Sequence, residues 1–254
     1  MKKLNRFYIM NELRNLLFNW YIPGFGILFP LLMSQIIIRA VIRDVPAAAH
    51  QEISTSIALS FLQLVPLAVV FLGHSSLYSQ EMQKRISLRM QLFGFSQGTQ
   101  MLGRMISLMI FFTAGIIINL GVFSLTLELA IPTLKGFFLT ILIYYLLGII
   151  LFMLAHGIAN FFRKFGPAYG VSMAMYFGFM VLGGMMGIRV EQLPSFLKPI
   201  ANLLPFGYVS NDVYKVWIGQ SYNWIPLVQA LLFLGGLSAI VMLLSFRYRK
   251  DQAI

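Results

Sequence analysis

Residues 136–162 read GFFLTILIYYLLGIILFMLAHGIANFF, a run of 27 residues that contains no Asp, Glu, Lys or Arg. An α-helix needs about 20 apolar residues to cross the hydrocarbon core of a bilayer, so this run is long enough to span a membrane. Strands of a transmembrane barrel would be about 10 residues long and would alternate polar with apolar side chains. This run does not alternate, and it therefore predicts a transmembrane helix.

Five further uncharged runs of similar length surround this one. The chain of 254 residues is 59% hydrophobic and 11% charged, which is typical of an integral membrane protein rather than of a soluble domain. Inside a bilayer every backbone polar group must be paired within its own helix. We therefore predict an all-α integral membrane fold with a single transmembrane domain over 1–254. The six spans are predicted at 20–40, 53–79, 104–127, 136–161, 167–188 and 224–246.

The amino-terminal segment 4–18 is predicted to lie along the membrane surface. Its apolar residues recur at helical spacing, but Arg6, Glu12 and Arg14 interrupt it. A secretory signal needs a short continuous apolar core and a cleavage site with small residues, and this segment has neither. We expect an interfacial amphipathic helix.

The distribution of Lys and Arg predicts the orientation of the spans. If both termini are cytoplasmic, 13 of the 19 cations lie in cytoplasmic segments, and the net charge is +10 on that side and +1 on the other. Cations that flank spans in this way are expected to contact membrane lipid, so the formal net charge of +11 indicates no nucleic-acid partner. We expect a multi-pass protein of a bacterial cell membrane with both termini in the cytoplasm.

The loop between spans 2 and 3 reads QEMQKRISLRMQLFGFSQG over residues 80–98. Residues 82–95 are predicted to form a short amphipathic helix, which Gly94 ends in the left-handed conformation, while Ser96 caps the next helix. Its apolar residues are Leu88, Leu92, Phe93 and Phe95, and its cations are Lys84, Arg85 and Arg89. The residues alone leave two interpretations open: an interfacial connector whose cations touch lipid phosphates, or a docking helix for a cytoplasmic partner.

The segment 192–215 before span 6 is irregular but strongly apolar. Pro194, Pro199 and Pro205 divide it into pieces of a few residues. Two short helices that dip part-way into the outer leaflet would bury the apolar side chains, and the prolines would set the bends. A plain interfacial loop is the alternative.

Several polar residues within the spans are candidates for a substrate pathway. Ser56, Ser60 and Gln63 recur at one-turn spacing on span 2, and His156 and His74 are ionisable groups at membrane depth. The same residues could instead form hydrogen bonds between helices.

Small residues on span 5 are candidates for close helix packing. Gly183 and Gly187 form a small-xxx-small pair, and Gly170 and Gly178 extend the line of small residues. We expect this line to pack against another helix, within the chain or across the seam of a homodimer.

The sequence contains none of the motifs that common enzyme classes require. It has no cysteine, no H-E-x-x-H, no G-x-S-x-G and no G-x-x-x-x-G-K-[ST] phosphate loop. We expect no catalytic residue, metal or cofactor in this chain.

The order of these features resembles type-2 ABC transporter permeases, the membrane subunits of ABC exporters. That family is similar along nearly the whole chain, with a surface helix, six spans, a coupling helix between spans 2 and 3 and re-entrant helices before span 6. The local motif begins at Glu81, which closes span 2, and continues through the basic residues to Leu88, Gly94 and Ser96. LPSFLKPIANLLP at residues 193–205 likewise resembles the family's segment before the last span. The proline that many members carry near the end of the coupling loop is absent here.

The resemblance implies a division of labour between subunits. ATP and Mg²⁺ would be bound by a separate nucleotide-binding ATPase subunit, and the working unit would contain a second permease, either an identical copy or a related one. The substrate would be hydrophobic or amphipathic, such as an antimicrobial peptide, a drug or a lipid-linked molecule, moved outward by alternating access. The residues implied at the ATPase interface are Glu81, Lys84, Arg85, Leu88, Arg89, Leu92, Phe93 and Phe95.

Two other functions remain open as alternatives. An ATP-independent secondary transporter or channel usually needs charged groups near the bilayer midplane, and the predicted spans place none there. A membrane protein that confers immunity by binding a peptide without transporting it would not need a structured loop between spans 2 and 3.

Overall fold

The computed structural model of the chain describes residues 4–185 and 190–251. Within these ranges the chain forms helices and no strand. Six helices are long and apolar enough to cross a membrane, which confirms the predicted fold class and the number of spans. Spans 1 to 6 are Tyr21–Ile42, Ala47–Gln83, Gln97–Thr126, Leu134–Phe162, Phe165–Leu182 and Trp224–Tyr248.

Shorter helices connect the spans. The amino-terminal helix is Arg6–Phe18; we call it the surface helix after its predicted position, which stays a prediction. The loop helix between spans 2 and 3 is Ile86–Leu92. The short helices Lys198–Leu203 and Pro205–Trp217 precede span 6, whose helix continues to Asp251, and a 3₁₀ turn covers Val190–Gln192. We call the end of the bundle that carries the loop helix the loop-helix end, and the opposite end the far end. The partial insertion of the short helices into a leaflet stays a prediction.

The predicted helix 82–95 is divided in the structure. Span 2 continues to Gln83, where the side-chain Oε1 accepts a 2.9 Å hydrogen bond from the backbone N–H of Phe165 at the start of span 5. Arg85 then adopts the left-handed conformation, with φ of 55°, and interrupts the helix before Ile86. The loop helix is consequently shorter than predicted and changes direction relative to span 2.

Span 2 forms the centre of the bundle. In its most apolar window 89% of the residues are buried, compared with 22–44% in the corresponding windows of the other five spans. Pro66 has no backbone N–H to donate within the helix, and the segment Pro66–Leu72 adopts π-helical geometry. Every residue of this segment is buried among neighbouring helices.

At the far end, span 4 begins in direct contact with the carboxyl end of helix Pro205–Trp217. The indole Nε1 of Trp217 donates to the carbonyl of Ala130 at 2.7 Å, and the N–H of Thr133 donates to the carbonyl of Trp217 at 3.0 Å. Gly136 lies so close that an added Cβ would overlap the carbonyl oxygens of Val216 and Trp217. A glycine is therefore required at this contact.

At the loop-helix end, a buried ionic cluster joins the surface helix to the bundle. Arg104 of span 3 forms an ion pair with Glu81 of span 2, and its Nε lies 3.7 Å from the carboxylate of Glu12 on the surface helix. The guanidinium also lies over the ring of Tyr78, 4.7 Å from its centroid. The side chains of Arg104, Glu12 and Glu81 are 4%, 8% and 14% exposed, so these charges depend on one another rather than on water.

A methyl group at Gly136 tests the contact at the far end. Gly136→Ala should lower the free energy of unfolding by about 1–3 kcal/mol because the added carbon overlaps backbone atoms that cannot move independently. Gly121→Ala is the matched control, because nothing lies within 4 Å of a Cβ at that position. The measurement is unfolding in mixed SDS micelles, followed by fluorescence. If Gly136→Ala and Gly121→Ala unfold at the same SDS fraction, the close contact of Gly136 with helix Pro205–Trp217 is contradicted.

Removal of the cation tests the ionic cluster. Arg104→Met should cost about 3–5 kcal/mol in the same measurement because it leaves two carboxylates buried without a counter-ion. The triple variant Glu12→Gln, Glu81→Gln, Arg104→Met should recover much of this loss.

The exposed ion pair between Lys215 and Asp212 provides the control for that experiment. Its side chains are 49% and 26% exposed, so Lys215→Met should cost at most about 1 kcal/mol. A loss of the same size for Arg104→Met and Lys215→Met would show that Arg104 is not buried in a dependent cluster.

Candidate functional site

The loop helix presents large apolar side chains on its free surface. Leu88, Leu92 and Phe93 are 53%, 82% and 67% exposed. The predicted cations Lys84, Arg85 and Arg89 are also exposed and surround these side chains. We call these six residues the loop-helix patch. Large apolar side chains that are exposed close in sequence to cations are typical of a site of interaction with another protein.

A buried glutamine of span 3 fixes the loop helix in place. Ser87 donates to Gln100 Oε1 at 2.8 Å, and Gln100 Nε2 donates to the carbonyls of Ser87 and Phe95 at 3.2 and 3.0 Å. Gln100 is 4% exposed. Because these three bonds close around one side chain, the loop helix is attached to span 3 as a unit.

The end of the loop follows the sequence prediction closely. Gly94 adopts φ of 91°, as the left-handed termination of the loop helix requires. Ser96 caps span 3 by accepting a 3.1 Å hydrogen bond from the N–H of Thr99. Both predictions are confirmed.

The structure gives Phe95 a different position from the other predicted apolar contacts. Its ring is partly buried and lies 5.6 Å from the ring of Tyr8 on the surface helix, measured between centroids. Burial and the nearby carboxylate of Glu12 raise the pKa of the Tyr8 phenol, so this side chain stays neutral at physiological pH. Phe95 thus joins the loop to the surface helix instead of extending the patch.

Glu81 also lies behind the patch rather than in it. Its carboxylate forms an ion pair with Arg104 of span 3. Through Arg104 the end of span 2 is coupled to span 3 and to the surface helix. The loop-helix patch is therefore carried by three elements that are joined to one another by buried polar contacts.

The three predicted pathway residues of one-turn spacing, Ser56, Ser60 and Gln63, lie at the far end. Ser60 donates to Ser210 of helix Pro205–Trp217 at 3.0 Å, and Gln63 Nε2 donates to the same oxygen at 2.6 Å. Ser60 and Ser56 line a cavity of about 670 Å³, which we call the far-end cavity. Its other polar walls include Glu52, Asp212 and Lys215, and its apolar walls include Ile37, Ile57 and Phe61.

His156 lies apart from this cavity. Its Nδ1 is 3.1 Å from Nε2 of His74, and both rings stack with Tyr78, with centroids 4.7 and 5.5 Å apart. Tyr78 in turn lies under Arg104. The two histidines therefore belong to the buried polar group at the loop-helix end, and the structure does not bring His156 together with Ser56 and Ser60.

The small residues of span 5 are placed in different surroundings. A Cβ at Gly183 would lie 2.7 Å from the side chain of Phe206, so this glycine permits close packing within the chain. At Gly170 and Gly178 an added Cβ would meet nothing within 4 Å. A role for these two in contact with another chain stays a prediction. Gly187 lies outside the described residues.

Four residues of these sites were not singled out from the sequence. Gln100 and Arg104 are four residues apart, so they share one face of span 3, and that spacing was a usable signal. Glu12 and Ser210 gave no such signal, because their partners are distant in the chain and only the packing of the helices brings them together.

Comparison with known protein families agrees with this architecture. Residues 8–247 match a family model described as ABC-2 family transporter protein. No curated protein matches the chain. The family match runs from the surface helix to the end of span 6, and it confirms the resemblance drawn from the sequence. The chain therefore belongs to the ABC-2 transporter family, and it is a transporter permease, the membrane subunit of a transport system.

Proposed function

We propose that this permease is the membrane subunit of an ATP-driven exporter and that the loop-helix patch docks onto a separate ATPase subunit. The observation that carries the proposal is the contrast between the two sides of the loop helix. Leu88, Leu92 and Phe93 are free, whereas Ser87 is held by Gln100. The loop-helix patch is apolar and exposed, and the loop helix is attached to span 3. The ATPase could therefore bind this patch and move the bundle through it.

The attachment of the loop helix defines how a movement would pass into the membrane. Gln100 connects the loop helix to span 3, and Phe95 contacts Tyr8 on the surface helix. Arg104 joins span 3 to span 2 and to the surface helix. A displacement of the loop helix by the ATPase would therefore act on three elements together.

The charges around the patch favour a protein partner over a role as a simple lipid contact. Cations alone would suffice for contact with lipid phosphates, whereas the loop helix also exposes the three large apolar side chains Leu88, Leu92 and Phe93. On a protein partner, they would fill a cleft, and Lys84, Arg85 and Arg89 would pair with acidic groups at its rim. ATP and Mg²⁺ would be bound by the ATPase.

The far-end cavity supports an amphipathic or hydrophobic substrate. Serine hydroxyls and charged groups line one part of it, and aliphatic and aromatic side chains line another. Its volume of about 670 Å³ is in the range of small-molecule sites. In the proposed cycle the substrate leaves through this end, which the charge distribution assigns to the outside of a bacterial cell membrane. A second permease, identical or related, would complete the pathway.

Charged substitutions in the patch test the docking proposal. The double variant Leu88→Asp, Leu92→Asp should lose at least about 2 kcal/mol of binding energy, because central apolar contacts of an interface carry energies of this size. The measurement is co-purification of a co-expressed ABC-type ATPase subunit with this chain. The wild type should retain the ATPase and the double variant should release it.

Ile131→Asp provides the matched control for that experiment. Ile131 is 87% exposed at the far end, so the same charge is introduced into an exposed apolar residue away from the patch. This control should keep the ATPase. Transport by the chain in vesicles that contain no ATPase would contradict the proposal, as would retention of the ATPase by the double variant.

A bulky side chain in the far-end cavity tests the substrate pathway. Ser56→Trp should reduce ATP-dependent movement of a lipophilic cation such as ethidium about tenfold, because the indole would occupy space that the substrate needs, and a loss of about 1.4 kcal/mol of binding energy is a tenfold effect. Ser124→Trp, at an exposed position on span 3, should leave transport unchanged. The measurement is ethidium uptake into inside-out vesicles. Equal transport by both variants would exclude the far-end cavity from the pathway.

A further inference from the structure

A second concave site lies at the far end, between spans 4 and 6. This groove has a volume of about 750 Å³ and is separate from the far-end cavity, with which it shares no lining residue. We call it the span 4–6 groove. Its walls are aliphatic over about two helical turns of span 4 and about one turn of span 6. The wall residues are Leu139, Leu142 and Leu146 of span 4 and Leu227, Val228 and Leu231 of span 6.

The mouth of the groove has a different composition from its walls. Lys135 is exposed in the first turn of span 4, and Tyr222 and Trp224 stand across from it with their rings 5.1 Å apart. Tyrosine and tryptophan are enriched where lipid headgroups meet the hydrocarbon core, and lysine extends its amine toward the headgroups from such positions. The groove therefore runs from a polar, aromatic mouth to a purely apolar interior, which matches the two parts of a phospholipid.

The lining of the groove carries a positive charge, and the nearby Asp212 carboxylate is not part of that lining and pairs with Lys215. Lys135 is the one charged residue among the described residues that line it. In the described part of the chain, no carboxylate forms an ion pair with Lys135. Burial and the nearby Asp212 carboxylate raise the pKa of Tyr222 to about 12, so its hydroxyl stays a neutral donor. An ammonium group and a neutral hydroxyl together suit a phosphate.

The backbone beside the mouth of the groove is held by contacts within the chain. Gly219 adopts φ of 78° where an added Cβ would press against Thr133, and Thr133 donates its N–H to Trp217. Trp217 is itself held by its bond to Ala130. The mouth is thus formed by backbone segments that are fixed to one another, so its shape does not depend on a ligand.

We propose that the span 4–6 groove binds one phospholipid with an anionic headgroup from the leaflet at the far end. Its acyl chains lie between spans 4 and 6, and its phosphate accepts from Lys135 Nζ and from the hydroxyl of Tyr222. The far-end cavity is lined by Glu52, Asp212 and Lys215. Its net charge is negative, so it favours a cationic ligand rather than an anionic one. The proposal concerns a second kind of ligand and does not require the transport proposal to be correct.

A second copy of the chain is a less suitable occupant of the groove. In a two-fold symmetric pair that met at this surface, the Lys135 side chains of both copies would approach each other. No carboxylate lines the groove, within the described residues, to offset that repulsion. An anionic lipid instead brings the opposite charge to the mouth.

Quenching of tryptophan fluorescence by brominated lipids tests the proposal. The chain contains three tryptophans, so the full chain is reconstituted with Trp20→Phe, and the signal of Trp224 is taken as the difference from Trp20→Phe, Trp224→Phe. Vesicles contain phosphatidylglycerol and phosphatidylcholine, with bromine on the acyl chains of one or the other. Phosphatidylglycerol should quench Trp224 about fivefold more effectively than its mole fraction predicts, the ratio that corresponds to about 1 kcal/mol for one cation at an anionic lipid.

Charge variants separate a built site from general attraction to the membrane. Lys135→Glu should abolish the preference for phosphatidylglycerol, and Lys135→Arg should retain it. Lys198→Glu makes the same charge change on helix Lys198–Leu203, outside the groove, and should leave the preference intact. Equal loss in both glutamate variants would overturn the proposal, and so would a preference that survives Lys135→Glu. Weak quenching of Trp224 by both lipids would show that a second chain covers the groove, and would also overturn it.

Discussion

Burial of the Arg104 guanidinium is the constraint on which the loop-helix end depends. A cation taken out of water is stable only if counter-charges lie close to it: the Arg104 guanidinium donates to Glu81, and the Glu12 carboxylate lies 3.7 Å from its Nε as a second counter-charge. The two carboxylates belong to different elements, the end of span 2 and the surface helix. Their positions cannot change independently, because separation of either would leave a charge unpaired. The surface helix is therefore attached to the spans by electrostatics as well as by apolar contact.

The same constraint would allow the bundle to transmit the movement of the loop helix that we propose. Apolar packing alone permits helices to slide, since one aliphatic contact replaces another at little cost. Charge pairs and the bonds of Gln100 specify one register for span 3, the loop helix and span 2. Span 2 then extends through the centre of the bundle to the far end, where Ser60 and Gln63 bond to Ser210. Polar contacts thus fix both ends of the same buried helix, and its π-helical middle segment lies between them.

The spans were predictable from the sequence because the bilayer imposes a length on each apolar run, and the charged residues mark where each run ends. Spans 1 and 6 begin within a residue of the predicted positions, at Tyr21 and Trp224. The loop helix was predicted less accurately, since the left-handed conformation of Arg85 is not typical of a residue with a long side chain. The partners of the polar residues were not predictable from spacing. Ser210 is 150 residues from Ser60, and only the fold places them 3.0 Å apart.

The two concave sites at the far end differ in charge, and this difference has a consequence for transport. The far-end cavity has two carboxylates and one lysine on its walls, whereas the span 4–6 groove has one lysine. Anionic lipid bound in the groove would be repelled from the cavity, and a cationic amphipath would be disfavoured at Lys135. The anionic lipid and the cationic amphipath are both apolar over much of their length, so apolar contact alone would not discriminate between them. If the two proposals hold, the charged residues at the two sites would distinguish the transported substrate from the lipids that surround it.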